Sequence, residues 1–249
     1  MINFFRKIRK KMADDNKPMK YARYAIGEIL LVVIGILIAL SINNWNEERK
    51  ERKKETQLLL SLSKDFKSNL ESLEESINRI PTLIENYSLV LEYAGNLDNG
   101  LTKEMRDKII GTSFVSTNLA DGTLTSILGS DKLEIIRNDT LKSWLTKYPS
   151  YIKDFKTLES SLVNYVKLTQ RPIVRSYLTL SDRLLPEPRF DQLKENIPKS
   201  DYEGLLRDKE YLNVVMGIRS QNNTLLGQCK SIHWVANEIN NIIEREIQN

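Results

Sequence analysis

Three regimes of apolar and polar positions follow one another along the chain. From Ala25 to Asn43, AIGEILLVVIGILIALSIN, twelve residues are Leu, Ile or Val and the one charge is Glu28. Read as helix at ~1.5 Å per residue, this run spans ~28 Å, close to the ~30 Å hydrocarbon core of a bilayer. The pattern predicts a single transmembrane helix over 25–43. From Asn46 to Thr56, NEERKERKKET, there is no apolar residue, no Gly and no Pro. Glu48 with Arg52 at i,i+4, and Glu47 with Lys50 and Glu51 with Lys54 at i,i+3, favour continuation of the helix as a solvated stalk over 44–57. Apolar residues then return at helical spacing: Leu59, Leu62, Phe66, Leu70, Leu73, Ile77, Ile80, Ile84, Tyr87, Leu91 and Ala94 are separated by steps of three and four.

Pro81 falls inside this periodic run and predicts a kink, and GNLDNG at 95–100 ends it. Beyond it the spacing predicts a helix over 103–117 with Thr102 as its cap. Two short helices follow within 121–140, separated by Gly129. A long helix is expected from Thr140 to about Leu185, with Tyr148, Ile152, Phe155, Leu162, Tyr165 and Ile173 inward and with bends or breaks at Pro149 and Pro172. LPEPRF reads as a loop and 201–206 as a small helix. Lys209 to Ile247 reads as a last long helix with Leu212, Val215, Ile218, Leu225, Cys229, Ile232, Ala236, Ile239 and Ile243 inward. No run alternates as a strand would, and no internal repeat is present. The expected fold is all-α: a transmembrane helix, a stalk, and a bundle of three long helices over 58–249. The short helices are expected to cap the far end of that bundle.

Charge changes this picture in one respect. The whole chain has a net charge of +4, which alone would suggest nucleic acid. Yet residues 1–24 carry eight Lys/Arg against Asp14 and Asp15, and residues from Thr56 onward carry 24 against 26 acids. The basic excess therefore flanks the apolar run, and the body of the chain has none with which to grip phosphates. Positive charge before the span predicts a cytoplasmic N-terminus and a periplasmic C-terminal domain at a bacterial inner membrane. Residues 1–12 place Phe4, Phe5, Ile8 and Met12 on one face among basic residues, as an interfacial helix would; a disordered positive tag is the other reading. Asn16 is a candidate N-cap. A cleavable leader is the rival to the anchor, since Ala39 and Ser41 sit at −3 and −1 of a candidate cleavage site. The ~24 residues before the run, and its length, favour the anchor.

Within the span, Gly27, Leu31, Gly35 and Ala39 recur every four residues, and Gly35 with Ala39 is a small-xxx-small pair that lets two backbones approach. Trp45 marks the outer interface. These positions predict contact with the lipid bilayer and a homo-oligomer, in the first instance a dimer. An unidentified membrane or periplasmic protein is a further expected partner. Glu28 is an acid within a span, a functional candidate because its burial demands a partner. In the first turns of a helix the dipole also favours an acid, and Arg23 or Lys20 can reach it. A structural role, a polar contact in an oligomer and proton transfer are all open.

Residues 1–56 resemble a known family. Paired phenylalanines in a short basic start, followed by YAIGEILLVVIGILIALSINNWNEERKER, resemble the N-terminal signature of small single-span bacterial proteins classed as a domain of unknown function. TLTSILGSDKLEIIRNDTL at 123–141 is similar to that family's middle region. The resemblance implies a membrane-anchored helical protein and carries no activity, cofactor or catalytic residue.

Candidate catalytic chemistry is sparse. The sequence has one histidine, His233, and one cysteine, Cys229, four residues apart on a predicted helix. A thiolate–imidazole pair needs that proximity, together with an orienting group and an oxyanion site that nothing nearby supplies. Glu71, Glu74, Glu75, Asp131 and Glu134 fall on predicted solvated faces, and no mixed cluster has metal-ligand spacing. Tyr148, Tyr151, Phe155, Tyr165 and Tyr177 line one helix either as core or as the wall of a ligand pocket. No metal or cofactor is expected. The sequence points to a non-enzymatic, membrane-tethered interaction or scaffold protein. The alternatives are a ligand-sensing ectodomain that signals through a partner and an accessory subunit of a proton-driven assembly.

Overall fold

The structure, a computed structural model, describes residues 18–179 and 191–248. The expectations for Phe4, Phe5, Ile8 and Met12, for the Asn16 cap and for the LPEPRF loop lie outside these residues. Among the described residues there is no strand, and the fold is all-α. Two compact units divide the chain, residues 1–57 and 58–249.

Helix α1 runs from Pro18 to Gly95 as one 78-residue element. In the first unit its Leu, Ile and Val side chains are 44–74% exposed, and Trp45 is 63% exposed. This helix is long and apolar enough to cross a membrane, and its most apolar 18-residue window has a mean hydropathy of 2.7 with no buried residue. In the charged stretch Lys50 pairs with Glu47 at 2.9 Å, as expected. Arg52 pairs with Glu55 at 3.3 Å rather than with Glu48, since i,i+3 and i,i+4 neighbours compete for one guanidinium.

In the second unit three long helices pack along one another. They are the 58–95 part of α1, a helix from Asp139 to Tyr177, and α8, Lys209–Gln248. The middle one comprises α4 (Asp139–Tyr165), a π-helical turn (Val166–Gln170) and α5 (Arg171–Tyr177). Ser63 meets Asn240, Leu73 meets Cys229 and Ser88 meets Arg219, so α8 is antiparallel to α1. Phe66 meets Tyr148, with ring centroids 4.9 Å apart, and Tyr87 meets Gln170, so α4 is parallel to α1. Each helix buries residues at a 3.5-residue repeat. On α1 these are Leu59, Leu62, Phe66, Asn69, Leu73, Ser76, Ile80 and Tyr87, and on α4 they include Leu141, Leu145, Tyr148, Phe155, Glu159 and Leu162. A sustained alternation of three and four keeps one seam facing the neighbours, as in coiled coils.

The structure corrects some of these expectations and keeps others. The helix capped by Thr102, whose hydroxyl accepts from the Met105 N–H, is α2, Lys103–Ile110, and stops at Gly111 instead of 117. Residues 112–121 are extended instead, because helix side chains take up their backbone groups, as described below. The helices continue through Pro81, after which the apolar pattern resumes in phase, and through Pro149; both prolines lie on exposed faces, where water can serve the carbonyl that loses its donor. Pro172 follows the π turn, and the helix ends at Tyr177 rather than near Leu185. Leu212, Ile152, Tyr165 and Ile173 are half-buried and pack against the core as expected, and Tyr211 and Val214 are buried beside the expected α8 residues. Finally, the short helices are shared between both ends of the bundle. Lys108 of α2 reaches Asn86, and α7 (Tyr202–Arg207) packs on α5, at the Gly95 end. Helix α3 (Gly122–Leu128) and the 3-10 turn Asp131–Ile135 lie at the Leu58 end, where the Thr123 N–H donates to Asp65 and Asn138 to Glu246. The remaining short helix, α6, is Asp191–Asn196.

Candidate functional site

The positions singled out in the apolar segment all lie on α1. Gly27, Gly35 and Ala39 are exposed, and a Cβ built on either glycine would meet nothing within 4 Å. Packing inside the chain therefore does not require glycine there. Glu28 is half-exposed and Trp45 exposed.

Cys229 and His233 share α8 but differ in surroundings. Cys229 is fully buried and its thiol donates to the Leu73 carbonyl at 3.5 Å, while His233 is half-buried. Burial, and secondarily the negative charge of Glu159, pushes the Cys229 thiol up to about 11. Nucleophilic use needs the opposite shift. Glu71, Glu74 and Asp131 are exposed. Glu75 pairs with Arg79 at 3.1 Å, and Glu134 lies 3.7 Å from Lys142. No group of three His, Cys, Asp or Glu among the described residues is placed to hold a metal. Of the aromatic residues, Tyr148 and Phe155 are core, Tyr151 is exposed, and the Tyr177 hydroxyl donates to Asp208 at 2.7 Å.

The most concentrated polar chemistry of the second unit was not legible in the spacing. Residues 112–121 run antiparallel along α1 without regular structure, and side chains serve their backbone. Asn69 donates to the Ala120 carbonyl at 2.8 Å and accepts from its N–H at 2.6 Å. The Thr117 N–H donates to Glu159 Oε1 at 2.6 Å, Lys156 Nζ donates to the Thr117 carbonyl, and Lys156 and Glu159 pair at 3.0 Å. The Ser76 and Thr117 hydroxyls share a bond of 2.8 Å, and Tyr87 lies 3.0 Å from the Ser113 carbonyl. A buried extended segment must have its N–H and C=O groups paired, and here polar residues set into the apolar seams do it. Asn69 and Ser76 occupy core positions of α1 between Phe66, Leu73 and Ile80, and Glu159 and Gln170 do so on the middle helix. That interruption of the apolar seam is the signal by which the sequence announces the clasp.

Neither the curated proteins nor the solved structures contain a match to this chain. Residues 28–147, from the apolar segment of α1 into α4, match the model of a Family of unknown function (DUF6090), so the signature noted in the sequence corresponds to an uncharacterised family.

Proposed function

We propose that this protein is a single-pass, membrane-tethered interaction protein without enzymatic activity, whose helical domain stands in the periplasm and whose N-terminus is cytoplasmic. The observation that carries the reading is the exposure of every large aliphatic residue between Ile26 and Ile42. A contiguous apolar surface of that size in water would drive aggregation, and in a bilayer it is solvated. The orientation follows from the basic residues before the span. A reporter active only in the periplasm, fused after Asn249, is expected to be active; activity of a cytoplasmic reporter in its place would reverse the orientation.

The tether also serves as a self-association face. Helix-interior glycine costs about 1 kcal/mol relative to alanine, and Gly27 and Gly35 return nothing to packing within the chain. A second copy of the helix, approaching closely along Gly27, Gly35 and Ala39 with Glu28 beside them, accounts for their presence. Gly35→Ile is expected to reduce crosslinking between cysteines placed along 46–56, in a Cys229→Ser background in membranes, by at least fivefold (roughly the effect of 1 kcal/mol). Ile36→Leu is expected to leave it unchanged. Equal crosslinking of wild type and Gly35→Ile would remove the interface.

A further inference from the structure

At the Gly95 end of the bundle a cavity of about 280 Å³ opens between the start of the extended segment and the middle helix. Its geometry originates in the π turn. There the Arg171 N–H bonds to the Val166 carbonyl, five residues back. One inserted residue rotates everything after it by ~100° about the helix axis. The buried series Phe155, Glu159, Leu162, Val166 runs on to Gln170, and the rotation acts on the residues that follow it. Gln170 lies 3.2 Å from the Tyr87 hydroxyl through its carbonyl oxygen and donates to Thr112 at 3.1 Å. The rotated face turns Arg171, Val174, Arg175 and Leu178 toward the cavity.

Arg171 and Arg175 stand one turn apart, where like charges repel. Among the described residues neither has a carboxylate partner. Arg171 lies 5.8 Å from the centre of the Phe114 ring, which Lys167 approaches to 5.3 Å, so a third cation adds to the local excess. The Thr112 hydroxyl is already committed to the Ile109 carbonyl and to Gln170. The charged part of recognition falls to the two guanidiniums, whose planar forks match carboxylate and phosphate oxygens, with Ser113 beside them and Val174 and Leu178 as an apolar wall. The volume equals roughly nine waters at ~30 Å³ each, room for a ligand of about that many heavy atoms.

We propose that this cavity binds a small dianionic oxyanion, a short dicarboxylate or a phosphate, between Arg171 and Arg175. The site is independent of the tethering role. The test is isothermal titration calorimetry of the full chain in neutral detergent at constant ionic strength, with glutarate and with inorganic phosphate as probes. Wild type is expected to bind at least one of them at ~10 mM or below, a range that weak but specific sites occupy. Glutarate alone would assign a dicarboxylate site, phosphate alone a phosphate site, and either supports the proposal. Arg171→Gln and Arg175→Gln are each expected to weaken binding at least tenfold. Val174→Trp, which fills the cavity without altering charge, is expected to abolish it. Lys153→Gln, on an exposed face of α4, is expected to leave it unchanged. Helicity by circular dichroism accompanies each variant. Binding of neither probe by wild type, or undiminished affinity in folded Arg171→Gln and Arg175→Gln proteins, would overturn the assignment.

Discussion

Replacing Glu159 by alanine should lower the melting temperature of the helical domain by ~6–12 °C. Glu159 is 4% exposed and accepts the Thr117 N–H at 2.6 Å, and Thr117 is itself 3% exposed. Alanine leaves that N–H without an acceptor in a site closed to water, and the loss of a charge-assisted bond of this kind costs about 3 kcal/mol. Lys156 loses one partner but keeps the Thr117 carbonyl and is partly exposed, so the ion pair itself adds little. For a domain of nearly two hundred residues each kcal/mol moves the midpoint by roughly 2–4 °C. Glu159→Gln keeps an acceptor oxygen and should recover most of the loss. Hydrogen exchange should show where the energy resides, with Val115 to Thr117 losing protection in Glu159→Ala before the long helices do. An alanine variant with unaltered melting and unaltered exchange at Thr117 would mean that the clasp contributes nothing to stability.

The same core should make the protein sensitive to alkali. Burial raises Tyr87, Tyr148 and Tyr211 above their ordinary value of 10.0, with the neighbouring Tyr87 adding to the shift at Tyr211, and Cys229 rises from 9.0 to about 11. All four are neutral in the fold, and in the unfolded chain they ionise at their ordinary values. Below pH ~9 both states hold these protons and stability is complete. Between 9 and about 11 the unfolded state loses the Cys229 proton first, and stability falls. Above ~10 the three tyrosines join, each lowering stability by about 1.4 kcal/mol per pH unit, roughly 4 kcal/mol per unit together. Against a typical stability of ~5–15 kcal/mol, unfolding is expected between pH ~10.5 and ~13. Tyrosinate absorbance and far-ultraviolet circular dichroism, followed together, should show the buried tyrosines ionising in step with the loss of helix. Smooth ionisation of every tyrosine near pH 10 with helicity intact would refute the burial argument.

The long helices were legible because their apolar residues return every three or four positions over many turns. The seam of α1 was read through Leu70 and Ile77, yet Asn69 and Ser76 are the more deeply buried members of those pairs. A hydrophobicity pattern favours the apolar neighbour. Only the partner, Ala120 or Thr117, some forty to fifty residues further along, explains a polar side chain at the centre. The expected helix over 111–117 failed for the same reason. Local propensity there is weak, and the side chains that hold the backbone extended lie on α1 and on the middle helix. The Arg171–Arg175 face was hidden by geometry. In an unbroken α-helix residue 173 would follow 166 on the same face, and a single π-turn residue moves that place to 174. Conversely, Cys229 and His233 were visible as a pair, and their spacing held, but the environment of the thiol turns it toward packing.

The antiparallel closure of α8 on α1 has a consequence for the order in which the protein is made. Ser63 waits for Asn240, 177 positions later, and Leu73 for Cys229, 156 positions later. At a synthesis rate of ~5–20 residues per second, the apolar seam of the first core helix stays uncovered for roughly 10–35 s after it emerges. Non-local closure of this kind also slows the final collapse. During that interval the nascent chain presents Leu59, Leu62, Phe66 and Leu73 as a contiguous stripe. A chain interrupted before α8 could still set Phe66 against Tyr148 of α4, but the side of the stripe that faces α8 would stay bare, which makes premature truncation a route to aggregation and proteolysis rather than to a smaller working domain.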